Sequence, residues 1–168
     1  GLALGDSYRT VCHVERDAYA AATLVARMAD EALGEAPIWD DLFTFDPRPW
    51  RGKVDLVTAG FPCQPFSVAG KQRAEEDERH LFPRIAEIIR DVGPRLVFLE
   101  NVRGLLTASG GRVFGDVLGT LADLGFDSEW LCLRASAVGA PHRRERVFIL
   151  AHAHDCGDFG LQREGELR

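Results

Sequence analysis

Cysteine is scarce, four residues in 168, and no two of them form a Cys-x-x-Cys pair. Neither a zinc site nor a disulfide framework is indicated, and a reducing, cytosolic setting is expected. Long apolar runs are missing too, so no segment approaches membrane-spanning length. The chain has no initiator methionine and no charged-then-apolar leader. No signal peptide is expected, and the sequence reads as beginning inside a longer protein. Positive charge is in short supply: 20 Lys and Arg against 26 Asp and Glu give a formal net charge of -6. That balance argues weakly against a polynucleotide partner, because phosphates repel an acidic surface. Distribution counts for more than the sum. Acids crowd into Glu75, Glu76, Asp77 and Glu78, whereas Arg143, Arg144 and Arg146 form one basic cluster and Lys71 and Arg73 another, so the basic groups can line one cleft.

What is present is a 46% hydrophobic chain, enough for one domain with a real core. Thr10 to Val14 reads as a strand and Ala18 to Ala32 as an amphipathic helix. The order repeats with strand Val54 to Ala59, helix Leu81 to Arg90, strand Leu96 to Leu99 and helix Val113 to Leu124. Such alternation predicts a mostly parallel sheet wrapped by helices. Trp130 to Leu133 and Val147 to Ala151 have no helix between them, which predicts an antiparallel pair at one edge. Beyond His152 the chain turns polar and glycine-rich, as a linker does.

Cys63 stands apart from the other cysteines. Cys12 and Cys132 lie inside apolar runs and read as small buried hydrophobes. Cys63 instead follows a strand, between Pro62 and Gln64-Pro65, where prolines deny the chain both ladder and helix. A thiol presented on a stiff loop suits a nucleophile. In an open doubly wound sheet the ligand crevice lies beyond the carboxyl ends of the strands, where Glu15, Cys63 and Glu100 are all expected. Glu15 can accept two hydrogen bonds from a ribose diol, or simply begin the next helix. Glu100, pushed to the rim of the run Leu96 to Leu99, suits proton transfer, or simply caps a turn.

Together these segments resemble the DNA cytosine-5 methyltransferase family, from Gly1 to about Ala151. Gly60-Phe61-Pro62-Cys63-Gln64-Pro65-Phe66-Ser67 resembles its catalytic Pro-Cys loop, Glu100-Asn101-Val102 its Glu-Asn-Val motif, and His142-Arg143-Arg144-Glu145-Arg146 its Gln-x-Arg-x-Arg motif, with His142 in place of the usual glutamine. Val14-Glu15-Arg16-Asp17 and Trp39-Asp40-Asp41-Leu42 are similar to the segments that meet the ribose and adenine of the methyl donor.

The resemblance implies a Rossmann-like methyltransferase fold with S-adenosylmethionine as donor and no metal. It implies catalytic roles for Cys63, Glu100, Arg144 and Arg146. Donor contacts fall on Glu15, Arg16, Asp41, Leu42, Gly60, Pro62 and Leu81. Substrate contacts fall on Gln64, Ser67, Asn101, Arg144 and Arg146. The implied partner is double-stranded DNA, with the target base flipped into the pocket. No membrane partner is expected, and the complete protein is expected to be a cytoplasmic monomer. Residues 1–151 then form a partial catalytic domain and 152–168 the start of a linker toward a recognition region. The glycine-rich opening turn is expected before Gly1 and the recognition region after Ala151. Three other readings stay open: cytosine methylation in transfer RNA, a truncated remnant without turnover, and a cysteine hydrolase using Cys63 with His80 or His142.

Overall fold

The structure, a computed structural model, describes residues 8–62 and 81–154. Cys63, Gln64, Ser67, Lys71, Arg73 and His80 lie outside the described residues. The chain divides into two compact units, Gly1–Trp50 and Arg51–Arg168.

In the first unit β1 (His13–Val14) leads into α1 (Ala18–Ala29), and β2 (Ile38–Trp39) returns beside β1. The pair is parallel, with His13 opposite Ile38 and Val14 opposite Trp39. Asp17 starts the helix: its side chain accepts a hydrogen bond from the Ala20 amide at 2.8 Å, satisfying one of the donors that a first turn leaves free. β1 is shorter than the apolar run from Thr10, and α1 stops three residues before Ala32. Glu31 accounts for the stop, because its φ of 61° lies in the left-handed region, which a helix cannot continue.

The second unit contains β3 (Leu56–Gly60), α2 (Leu81–Val92), β4 (Leu96–Val102), α3 (Arg112–Asp123), β5 (Phe126–Arg134) and β6 (Glu145–Ala153). Its four strands lie in the order β3, β4, β6, β5. β3 and β4 are parallel, while β6 runs antiparallel to both β4 and β5. Three strands thus point one way and β6 alone opposes them, the mostly parallel α/β sheet with an antiparallel edge that the sequence predicts. β6 reaches Ala153, past the expected boundary at Ala151, because His152 still pairs with Leu96 and Asp127.

Alternation along the strands sorts two faces. Val97, Leu99 and Asn101 of β4 join Val147, Ile149 and Ala151 of β6 on a fully buried face. α2 repeats apolar residues at helical spacing and buries Ile85, Ile88, Ile89 and Val92. α3 buries Val117 and Leu121, and its Phe114 meets Trp130 of β5 edge to face at 5.3 Å. Pro83 sits in the first turn of α2, where the missing N–H removes no helical bond. Gly93, at φ 64°, ends that helix in the left-handed conformation, its amide returning to the Ile89 carbonyl at 2.9 Å.

The opposite face is less covered. Leu96, Phe98, Glu100, Arg146, Phe148 and Leu150 are half-buried there, and Phe98 stacks on Phe148 at 5.7 Å. Among the described residues β5 lies at the sheet edge and is mostly exposed, which corrects the expectation for Cys132: it is exposed, because an apolar run on this strand has a described neighbour on one side only. Cys12 is half-buried.

Position in this sheet sets the cost of truncation. Leu99→Ala opens a cavity at a fully buried site and is expected to cost about 3 kcal/mol, whereas Leu131→Ala, at a side chain 51% exposed, is expected to cost under ~1 kcal/mol. Urea unfolding of the two variants checks the contrast, and equal losses would contradict the face assignment.

Candidate active site

Glu100 and Arg146 meet on the less covered face. In the β4–β6 register Glu100 faces Phe148 and Val102 faces Arg146, so the two charged residues are diagonal neighbours. Their long side chains close the gap, with Arg146 Nε 2.6 Å from Glu100 Oε1. The pair is only partly solvated, the side chains being 20% and 34% exposed. Arg146 also donates from Nη1 to the Glu145 carbonyl at 2.9 Å, which steadies the guanidinium.

Gly60 clears space for the other carboxylate oxygen. It is opposite Glu100 in the β3–β4 ladder, and a Cβ placed there would lie 3.2 Å from Glu100 Oε2. Phe61 follows as a buried residue, its ring 5.2 Å from that of Phe82 in α2. Pro62 is exposed, and Leu81 opens α2. Asn101, expected among the substrate contacts, is 2% exposed. Its Nδ2 donates to the Phe61 carbonyl at 2.8 Å and its Oδ1 accepts from the Val102 amide at 2.8 Å.

Around this pair lies a basic rim in which Arg103 and Arg134, which the sequence does not single out, join the expected cluster of Arg143, Arg144 and Arg146. Arg103 follows β4 directly, and Arg134 closes β5 opposite Glu145. Glu145 holds both, with Arg103 Nη1 at 3.0 Å and Arg134 Nε at 3.7 Å. Arg144 is exposed beside them, its carbonyl accepting from the Ala135 amide at 2.8 Å and its own amide facing His142 Nδ1 at 3.4 Å. Arg143 is exposed as well. Among the described residues of this rim, four guanidiniums accompany the single carboxylate of Glu145.

The first unit carries two carboxylates of its own at the carboxyl ends of adjacent parallel strands. Glu15 follows β1; its amide donates to the Trp39 carbonyl at 2.9 Å and its Oε1 accepts from the Asp17 amide at 2.8 Å. Asp41 follows β2, and its Oδ1 accepts from the Phe43 amide at 2.8 Å, a tight side-chain turn. Among the described residues these bonds use one oxygen of each carboxylate. Arg16 is exposed and Leu42 half-buried on the same connections. Burial pushes the neighbouring Cys12 thiol up, away from thiolate character. Among the described residues no cluster of His, Cys, Asp and Glu could hold a metal ion, and no described helix is long and apolar enough to cross a membrane.

This arrangement accompanies a clear sequence relationship. The profile of the C-5 cytosine-specific DNA methylase family matches residues 2–162. The chain belongs to this family. It is 39% identical over 163 residues to Type II methyltransferase M.PspPI of Psychrobacter sp. (strain TA137), an alignment covering 94% of this chain and 38% of that protein. It is also 39% identical over 146 residues to Type II methyltransferase M.HpaII of Haemophilus parainfluenzae, covering 85% and 39%. The chain thus spans about two fifths of the length of these curated relatives. The Dnmt2 methyltransferase of S. pombe shares the fold, with a TM-score of 0.69 at 19% identity over 97% of this chain and 52% of that one. The predicted Rossmann-like methyltransferase fold is thereby established for this C-5 cytosine methylase chain.

The Glu100–Arg146 contact invites a double-mutant cycle. Glu100→Gln, Arg146→Met and the double variant are expected to give a coupling of about 1 kcal/mol, the upper end for pairs open to solvent, because both groups are partly screened from water. Denaturant unfolding measures it, and additive single effects would mean that the pair contributes nothing to folding.

Proposed function

We propose that this chain carries the catalytic centre of an enzyme that methylates carbon 5 of cytosine in DNA, as the modification arm of a restriction system or in host DNA modification. What supports the reading most is the Glu100–Arg146 pair, an acid and a guanidinium held 2.6 Å apart on a partly open sheet face. β3 of the same sheet leads within three residues of Gly60 to Cys63. The basic rim of Arg103, Arg134, Arg143 and Arg144 gives phosphates a place to bind despite the acidic total charge.

Each group then has work to do. Carbon 5 of cytosine is a poor nucleophile until a nucleophile adds at carbon 6, and Cys63 supplies that thiolate. As negative charge develops on the ring, Glu100 in its acid form holds ring nitrogen 3 and shares a proton with it. Arg146 turns from Glu100 to the carbonyl oxygen at position 2, and Arg144 meets a phosphate beside it. Gln64 and Ser67 support the loop around Cys63. S-adenosylmethionine, when bound, supplies the methyl group that carbon 5 accepts. For that donor the first unit offers the carboxylates of Glu15 and Asp41, which suit ribose hydroxyls and an adenine amine, with Arg16 and Leu42 on the same connections. Loss of the carbon 5 proton to a base and elimination of Cys63 complete the cycle.

Trapping tests the reading. The full-length protein is expected to form a covalent adduct with duplex DNA containing 5-fluorocytosine when S-adenosylmethionine is present, and Cys63→Ser to form none. An adduct that survives the substitution, or one formed only on transfer RNA, would overturn it. Glu100→Gln is expected to slow methylation by at least about 10²-fold with donor affinity retained, checked by tritium transfer and calorimetry.

A further inference from the structure

Glu145, the first residue of β6, faces two arginines that come from two other strands. Arg134 closes β5 directly opposite it in the ladder, and Arg103 follows the last residue of β4. Each carboxylate oxygen serves one of them: Oε2 accepts from Arg103 Nη1 at 3.0 Å, and Oε1 lies 3.7 Å from Arg134 Nε. The main chain beneath is fixed, because the Ala135 amide donates to the Arg144 carbonyl at 2.8 Å one rung beyond. Successive residues of a strand turn to opposite faces, so Arg146 goes to Glu100 and Glu145 turns away from it. The trio is a second charged grouping beside the Glu100–Arg146 pair.

Its members differ in exposure. The Glu145 carboxylate is covered, at 22%, whereas Arg103 and Arg134 are 63% and 61% exposed. Ion pairs with partners this exposed contribute little to folding. What the arrangement achieves is to hold two long side chains side by side at the edge of the sheet where Gly60 and Glu100 also lie, with one net positive charge. A guanidinium has five donors, and two guanidiniums together match the oxygens of a phosphate.

We propose that Glu145 is a positioning residue that holds Arg103 and Arg134 together as one clamp for a backbone phosphate of the DNA substrate. The inference rests on the methyltransferase reading and deepens it, giving a carboxylate a part in binding a polyanion. Two effects of Glu145 on that binding oppose one another. By charge alone it repels phosphate, so its removal would tighten binding. By position it has already restrained two rotamer-rich side chains that DNA would otherwise have to order, so its removal would weaken binding. Position outweighs charge here, because salt screens a surface charge and leaves the ordering of rotamers untouched.

The test measures the Kd of the full-length protein for a fluorescein-labelled DNA duplex that it methylates, by anisotropy at about 0.15 M salt. Glu145→Ala is expected to raise Kd about 10-fold, although it makes the protein more positive. In a protein that already carries Arg103→Met and Arg134→Met nothing is left to position, so adding Glu145→Ala is expected to lower Kd or leave it within about twofold. That reversal separates positioning from damage to the fold, which would weaken binding in both backgrounds. Unchanged or tighter binding by the single variant would overturn the proposal, as would a similar loss in the background without the two arginines, or a loss seen on transfer RNA and not on duplex DNA. A parent that methylates no duplex sinks the methyltransferase reading and the clamp with it; a parent that methylates while Glu145→Ala binds as tightly sinks the clamp alone.

Discussion

The direction of β6 is the constraint on which the site depends. Glu100 lies near the end of β4, so a partner charge must arrive at that same edge of the sheet. Arg146 is the second residue of β6, and only a strand running against β4 brings its beginning beside the end of β4. A parallel strand would deliver the arginine to the far edge, roughly 20 Å away for a strand of this length. Inserting β6 between β4 and β5 also sets Arg134 opposite Glu145, which draws the end of β5 into the same charged rim. One reversal of chain direction therefore organises the acid, its counter-charge and the basic surface around them.

The same strands show how a polar site is built on an apolar core. β4 alternates Val97, Leu99 and Asn101 inward with Phe98 and Glu100 outward. The inward set is apolar except for Asn101, whose amide is satisfied at both ends by main-chain groups, as burial of a polar side chain requires. The outward set can afford a carboxylate because the face is half open and Arg146 is beside it. Gly60 completes the arrangement by omission, since a side chain there would press on Glu100 Oε2.

Much of this was legible from residue pattern. The repeated strand and helix periods locate β3, α2, β4 and α3 within a few residues, because long amphipathic stretches bury one face whatever else the chain does. Two-residue β2 was not legible, since Ile38–Trp39 is too short for any period to appear. β5 begins at Phe126, four residues before the apolar run at Trp130, because pairing with β6 extends a strand through Asp127 and Glu129 that composition alone does not favour. The exposure of Cys132 has the same origin, since whether an apolar run is central or at an edge depends on strand order. That order is a long-range property: nothing within a ten-residue window places β6 between β4 and β5.

The site divides along similar lines. Residue types suited to the chemistry, Cys63, Glu100 and Arg146, could be singled out because loop composition and strand ends are local features. What local features could not supply was the bonding between distant positions. Arg103 and Glu145 are separated by 42 positions and Asn101 and Phe61 by 40, yet each pair is in direct contact. Asn101 illustrates the consequence: adjacency to Glu100 in sequence suggests a shared role, whereas the strand's two-residue period sends neighbours to opposite faces. Within the motif one side chain is therefore turned to the open face and the next to the core, a division that sequence proximity obscures and strand geometry requires.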